Sequence, residues 1–176
     1  TAPTRESYSR KELVDLLEIA AERKAGRDAT QLIAEHARNY FWIHNSYFTT
    51  EILPAAFFEG EVDRLLSKYP GPAGQIEIMR VDSQSLPSRK EELVERLRLD
   101  PAQRSIVGLL DYFAWYQDYR KEYTLKILHY LDCVLKEIGR RNGLSLDEMK
   151  CSTPDEIPGI MAGSADVATL RARKKR

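Results

Sequence analysis

Hydrophobic residues recur along this chain at intervals of three and four far more often than of two, so the pattern predicts helices almost throughout. Leu13, Leu16, Leu17 and Ala20 share one such face, opened by Ser9 and Glu12 at capping-box spacing and closed at Gly26. A second amphipathic run carries Leu32, Ile33, Ala37, Tyr40, Phe41 and Ile43 behind a possible cap at Asp28. A third, over residues 61–69, turns Val62, Leu65 and Leu66 inward and stops before Pro70-Gly71-Pro72. Residues 70–87 hold the one alternating segment, Gln75 to Val81. A lone strand has nothing to pair with, so this stretch is expected to be an extended internal connector. Ser88 and Glu91 then form a second capping box, opening a helix through Leu93, Val94 and Leu97.

The longest periodic run begins at Asp100-Pro101, an N-cap followed by proline at the first helical position. One face reads Ile106, Leu109, Phe113, Tyr116, Arg120, Tyr123, Ile127, Leu131, Val134 and Ile138. Arg140-Arg141-Asn142-Gly143 supplies the cations and the glycine that end a helix. Roughly forty residues at 1.5 Å each make a rod of about 60 Å, longer than a small domain is wide. The fold class that follows is all-α, an irregular helical bundle packed on one very long central helix. Beyond it, residues 144–149 look like one helical turn. Thr153-Pro154-Asp155-Glu156 combines N-cap, N1 proline and N3 glutamate, and Gly163 closes that helix. Ser164 is the expected cap of a last helix. One helical domain is expected over residues 1–176, with 164–176 as a basic exit segment.

Charge changes the picture in two ways. Lys and Arg number 27 and so do Asp and Glu, which leaves no overall field to attract nucleic acid or an anionic membrane. Five of the cations crowd into the last six residues, so the body before Arg171 is acidic, 27 anions against 22 cations. That basic run lacks interleaved aromatics and reads as a solvated helix end leading into a linker rather than a nucleic-acid motif. A mean hydropathy of −0.47, with no apolar run near eighteen residues, predicts no membrane span. Cys133 and Cys151 make no disulfide framework, and a reducing cytoplasmic setting is expected. The first residue is Thr1 rather than Met, which suggests a segment of a longer polypeptide.

Chemistry-bearing motifs are sparse. The sequence contains neither G-x-x-x-x-G-K-[ST], G-x-G-x-x-G, H-E-x-x-H nor G-x-S-x-G, so no catalytic residue and no metal ligand is assigned. His36, Tyr40 and His44 stand four apart on one predicted helical face, either turned to a ligand or packed at a helix interface. His129, beside the long apolar face, reads as structural. Arg120 interrupts the apolar stripe of the long helix and is followed by Lys121. A guanidinium there needs an anion, either a carboxylate of a neighbouring helix or a ligand phosphate. Around it Tyr112, Phe113, Trp115, Tyr116, Tyr119 and Tyr123 wrap the helix, which implies burial on both sides or a partner surface.

The order Leu110-Asp111-Tyr112, Tyr119-Arg120-Lys121-Glu122, Leu135-Lys136-Glu137-Ile138-Gly139-Arg140-Arg141, Leu144, Thr153-Pro154-Asp155-Glu156-Ile157 and Leu170-Arg171-x-Arg173 resembles the helical segment of phosphoenolpyruvate-utilising enzymes, the phosphoenolpyruvate synthase and pyruvate phosphate dikinase group. Trp42-Ile43-His44-Asn45-Ser46-Tyr47 is similar to an aromatic motif of shorter relatives, and the resemblance covers about residues 30–176. It implies a parent phosphotransferase that uses ATP and Mg, with an ATP-grasp domain and a mobile phosphohistidine domain as neighbours on the same polypeptide. The T-S-H signature of the mobile domain is absent: His36, His44 and His129 lie in Glu-His-Ala, Ile-His-Asn and Leu-His-Tyr. The expected role is therefore a non-catalytic helical linker that spaces and docks the mobile domain, with no cofactor of its own. Two alternatives stand beside it: a free-standing interaction module using the aromatic band, and a small-ligand pocket around His44 and Arg120.

Overall fold

Residues 3–164 and 166–174 are described by a computed structural model. They are all-α, with no strand among them. The helices are α1 (Tyr8–Lys24), α2 (Thr30–Tyr40), α3 (Ala55–Lys68), α4 (Pro72–Arg96), α5 (Pro101–Asn142), α6 (Leu146–Lys150), α7 (Ile157–Met161) and α8 (Val167–Lys174), with a 3-10 turn at Pro154–Glu156. The chain expected to form one domain divides into two compact units. One comprises Thr1–His44 with Glu51–Thr124, the other Asn45–Thr50 with Leu125–Arg176.

In the first unit α1 packs on α2, α3 and α4. Its core is Leu16, Leu17, Ile19 and Ala20 of α1, Ile33 of α2, Phe58, Val62 and Leu65 of α3, and Val94 of α4, closed by Trp42 and Leu53. Helix α1 begins two residues before the predicted box: Ser7 is the cap, its hydroxyl accepting from the Arg10 amide at 3.3 Å. Asp28 accepts from the Thr30 amide at 2.9 Å, one residue ahead of the N-cap Ala29. Helix α3 starts six residues earlier than its polar-apolar pattern indicated, because Phe58 joins Val62 and Leu65 on one buried face.

The extended connector is corrected outright. Residues 72–87 belong to α4, which runs on through Pro87 to Arg96, and the supposed box at Ser88 and Glu91 lies in its interior. The face turned inward is Ile76, Met79, Ser83, Leu86, Lys90 and Val94, stepping by three and four. Pro72 at the first helical position and the Glu77–Arg80 pair, 2.9 Å apart, support the segment that reads as a strand.

Helix α5 has the expected bounds. Asp100 accepts from the Gln103 amide at 2.9 Å while the Gln103 side chain accepts from the Asp100 amide at 3.0 Å. At the other end Gly143 takes φ +67° and the Leu144 amide donates back to the Gly139 carbonyl at 2.9 Å. Its facing is the reverse of expectation. From Ile106 to Val134 every member of the predicted inward stripe is exposed, and Ile138 alone is half-buried. The buried positions are Leu125, Asp132 and Gly139, seven residues apart, and Asp111 and Asp118 on the same row are half-buried. Polar partners and small size explain the inversion: Asp111 is held by Lys90 and by the Thr4 amide, Asp132 by Thr50 and Lys150, and Gly139 lets backbone approach.

The second unit closes on Leu144, Met149, Ile160 and Leu170, with Leu135, Ile138, Ile157 and Val167 against them. Both short helical turns are fastened by capping boxes, Ser145 with Glu148 and Thr153 with Glu156. Asp166, not Ser164, caps α8, accepting from the Ala168 amide at 3.0 Å. The basic segment is not simply solvated. Arg171 pairs with Glu148 at 2.8 Å and Arg173 is bidentate on Glu156 at 2.7 and 2.9 Å. Lys175 and Arg176, the end of that run, lie outside the described residues.

Candidate functional site

His36 and Tyr40 come together on the buried face of α2, and His44 does not join them. The His36 ring is 4.5 Å from that of Tyr40 and edge-on to Phe58 at 4.9 Å, with Nε2 3.4 Å from Glu12 Oε1. Tyr40 donates its hydroxyl to Asp15 at 2.7 Å. Burial first, and then that hydrogen bond and the nearby carboxylates, push the phenol well above its ordinary value, so it stays protonated. These contacts make His36 and Tyr40 packing and hydrogen-bonding groups of the first core. They also form part of the wall of a groove of about 620 Å³ whose polar lining is acidic, with Asp15, Glu18, Glu22 and Glu35. His44 lies past the end of α2, exposed, its ring edge-on to Phe57 at 4.9 Å.

Arg120 and Lys121 are both exposed on α5. Among the described residues no carboxylate holds the Arg120 guanidinium, so the paired, semi-buried arginine that the stripe implied is not formed. The groove that touches His36 and Tyr40 includes neither His44 nor Arg120.

Of two further features, only the first went unnoticed in the sequence. The first lies wholly within the second unit, a cavity of about 530 Å³ walled by Tyr47, Phe48, Leu128, Leu131, Leu135, Met149 and Ile157. Its polar centre is Asp132, only 4% exposed, which accepts from Thr50 Oγ1 at 2.6 Å and from Lys150 Nζ at 2.7 Å. Lys150 also donates to the Phe48 carbonyl at 3.3 Å. With the ammonium and carboxylate neutralising each other, this centre holds the 45–50 loop, α5 and α6 together. Asp132 could have been found by following the sheltered seven-residue row through Leu125 and Gly139.

The second feature is the outward face of α5. In the first unit, Ile106, Leu109, Leu110, Tyr112, Phe113, Tyr116, Tyr119 and Tyr123 are each 40% to 64% exposed. Their rings form a ladder: Tyr112 on Tyr116 at 5.9 Å, Tyr116 on Tyr119 at 6.5 Å, and Tyr119 on Tyr123 at 4.9 Å. Trp115 is half-buried and stacks on Tyr119 at 4.9 Å, with the Arg5 guanidinium 4.6 Å from its ring and 5.7 Å from that of Tyr112. Such ring pairs each favour the arrangement by about 0.5–1.5 kcal/mol. A contiguous exposed apolar surface of this extent is uncommon on a monomer.

Among the described residues no group of three or more His, Cys, Asp or Glu is placed to hold a metal ion. No helix among them is long and apolar enough to cross a membrane. Comparison with protein-family models, with curated proteins and with solved structures finds no match to this chain.

Proposed function

We propose that this chain is a helical docking module, which holds an apolar partner helix on the outward face of α5. The observation that carries the reading is the exposed aromatic and aliphatic row from Ile106 to Tyr123 on a helix whose other side is half-sheltered, with Asp111 on Lys90 and Trp115 under Arg5. In this role residues 101–124 of α5 are held in their own unit by contacts such as Lys90 on Asp111. The phosphoenolpyruvate-utilising resemblance favours one form of the same role. There the partner is a neighbouring domain of one cytoplasmic phosphotransferase polypeptide, and Arg120 with Lys121, exposed beside the row, would meet it.

The docking reading requires that the row contribute nothing to its own unit. Phe113→Ser with Tyr116→Ser, unfolded in urea at sub-micromolar concentration where any partner is diluted away, should keep the wild-type stability to within about 0.5 kcal/mol, the range of ordinary surface substitutions. A loss above about 2 kcal/mol would place the two rings in the chain's own core and end the reading.

A further inference from the structure

The outward row of α5 has a period that identifies the kind of partner. Ile106, Leu109, Phe113, Tyr116, Arg120 and Tyr123 step by three, four, three, four and three, the a and d positions of a heptad. All six are exposed. A straight helix drifts by about 20° per heptad against a strict seven-residue repeat, so a row that keeps its register over 106–123 matches a second helix supercoiled around it.

Charge narrows the choice of that helix. The flanking g and e positions are Ser105, Leu110, Tyr112, Gln117, Tyr119 and Thr124, all uncharged. Coiled coils that select a different chain do so mainly through charges at these positions. At these flanking positions nothing selects against an identical helix, and nothing repels one. The eight exposed side chains offer on the order of 800 Å² per copy, taking about 200 Å² for each whole side chain, which matches one side of a stable interface.

Arg120 sets the direction. It occupies an a position, and a parallel pair in register would set two guanidinium groups against each other. In an antiparallel pair an a residue meets a d residue of the other helix. In the pair centred on residues 106–123 Arg120 then faces Leu109 of the second copy, and the two guanidinium groups stand apart along the helices. We infer that two copies of this chain pair antiparallel through residues 106–123 of α5. The inference rests on the docking reading above and adds the identity and orientation of the partner.

The test uses the whole chain. Light scattering at high-micromolar concentration should give twice the chain mass, and Phe113→Glu with Tyr116→Glu should return it to the single mass. Orientation is read from a spin label on Cys133, exposed near the far end of α5, in a Cys151→Ser background that still gives the dimer mass. An antiparallel pair centred on 106–123 separates the two labels by more than about 40 Å along the helices, whereas a parallel pair brings them within about 15 Å. A single-chain mass at every concentration, a dimer indifferent to the glutamates, or a short label distance overturns the inference. The dilute urea experiment on the serine variant decides the docking reading separately: if stability there is unchanged while the chain stays monomeric, only the pairing with a second copy has failed.

Discussion

Asp132 and Lys150 show what a single buried charge demands. Asp132 is nearly sealed, while the Lys150 side chain keeps 30% of its surface. Removing either partner is therefore not symmetrical. Lys150→Met leaves the carboxylate buried with Thr50 as its remaining donor, and should destabilise the chain by about 3 kcal/mol. Asp132→Asn keeps an acceptor for Thr50 and frees an ammonium that reaches water, at a loss nearer 1–2 kcal/mol. Because both changes break one pair, the double variant should lose clearly less than the two losses added. Urea unfolding of the three variants measures the coupling, and strict additivity would show that the two groups act independently. The cavity around them is apolar, which is why a neutral pair is tolerated there and a lone charge is not.

At the scale of the element, the end of α5 depends on one missing side chain. A Cβ on Gly139 would meet the Leu144 carbonyl oxygen at 2.6 Å and Met149 Cγ at 2.9 Å. The nearer obstacle is backbone, fixed by the Leu144 amide that donates to Gly139 itself, so it has no room to retreat. Gly139→Ala should lower stability by about 2 kcal/mol, the overpacking outweighing the better helix propensity of alanine. Gly108, in the same helix with open space around its Cα, is the control, and Gly108→Ala should stabilise by about 1 kcal/mol. Thermal melts of both variants check this, and a stabilised Gly139→Ala would mean that the α5 to α6 corner yields.

The elements differ in how far they could be read beforehand. The bounds of α5 were legible because Asp100-Pro101 and Asn142-Gly143 are local signals whose effect needs no tertiary context. Which way α5 faces was not legible, because its sheltered row contains Asp111, Asp118, Asp132 and Gly139, residues that hydropathy assigns to the surface. Their burial depends on Lys90, the Thr4 amide, Thr50 and Lys150, contributed from distant parts of the chain. Helix α4 was misread for a related reason. Ser83 and Lys90 interrupt its inward row, so the two isoleucines at 76 and 78 stood out as alternation. Of the candidate site residues, His36 and Tyr40 were correctly placed on one face. Their turn toward Glu12 and Asp15 of α1 is a tertiary fact that spacing within α2 does not contain.

For the molecule as a whole, equal numbers of cations and anions leave no net field, but individual carboxylates are strongly held. Glu148 and Glu156 each cap a short helical turn and each bind an arginine of α8. The Ser145 amide first, and then Arg171, bring Glu148 down to about 2. Arg173 first, and then the Thr153 amide, bring Glu156 down to about 2. Glu137, beside Arg140 and Arg141, is likewise held at about 2. In each case the folded chain prefers the charged form more than the unfolded chain does. Their stabilisation is complete above the unfolded value of about 4.5 and is lost as pH falls toward the folded value. The urea midpoint should therefore be level from pH 7 to about 5 and fall between about 5 and 2. All three keep some contact with solvent, Glu148 the least at 15%, so added salt should flatten that fall. Glu148→Gln with Glu156→Gln should lower the midpoint at pH 7 and make it less sensitive to acid, since two of the groups that take up protons on unfolding are gone. A variant as acid-sensitive as the wild type would mean that carboxylates elsewhere, such as Asp111 under Lys90, govern the response.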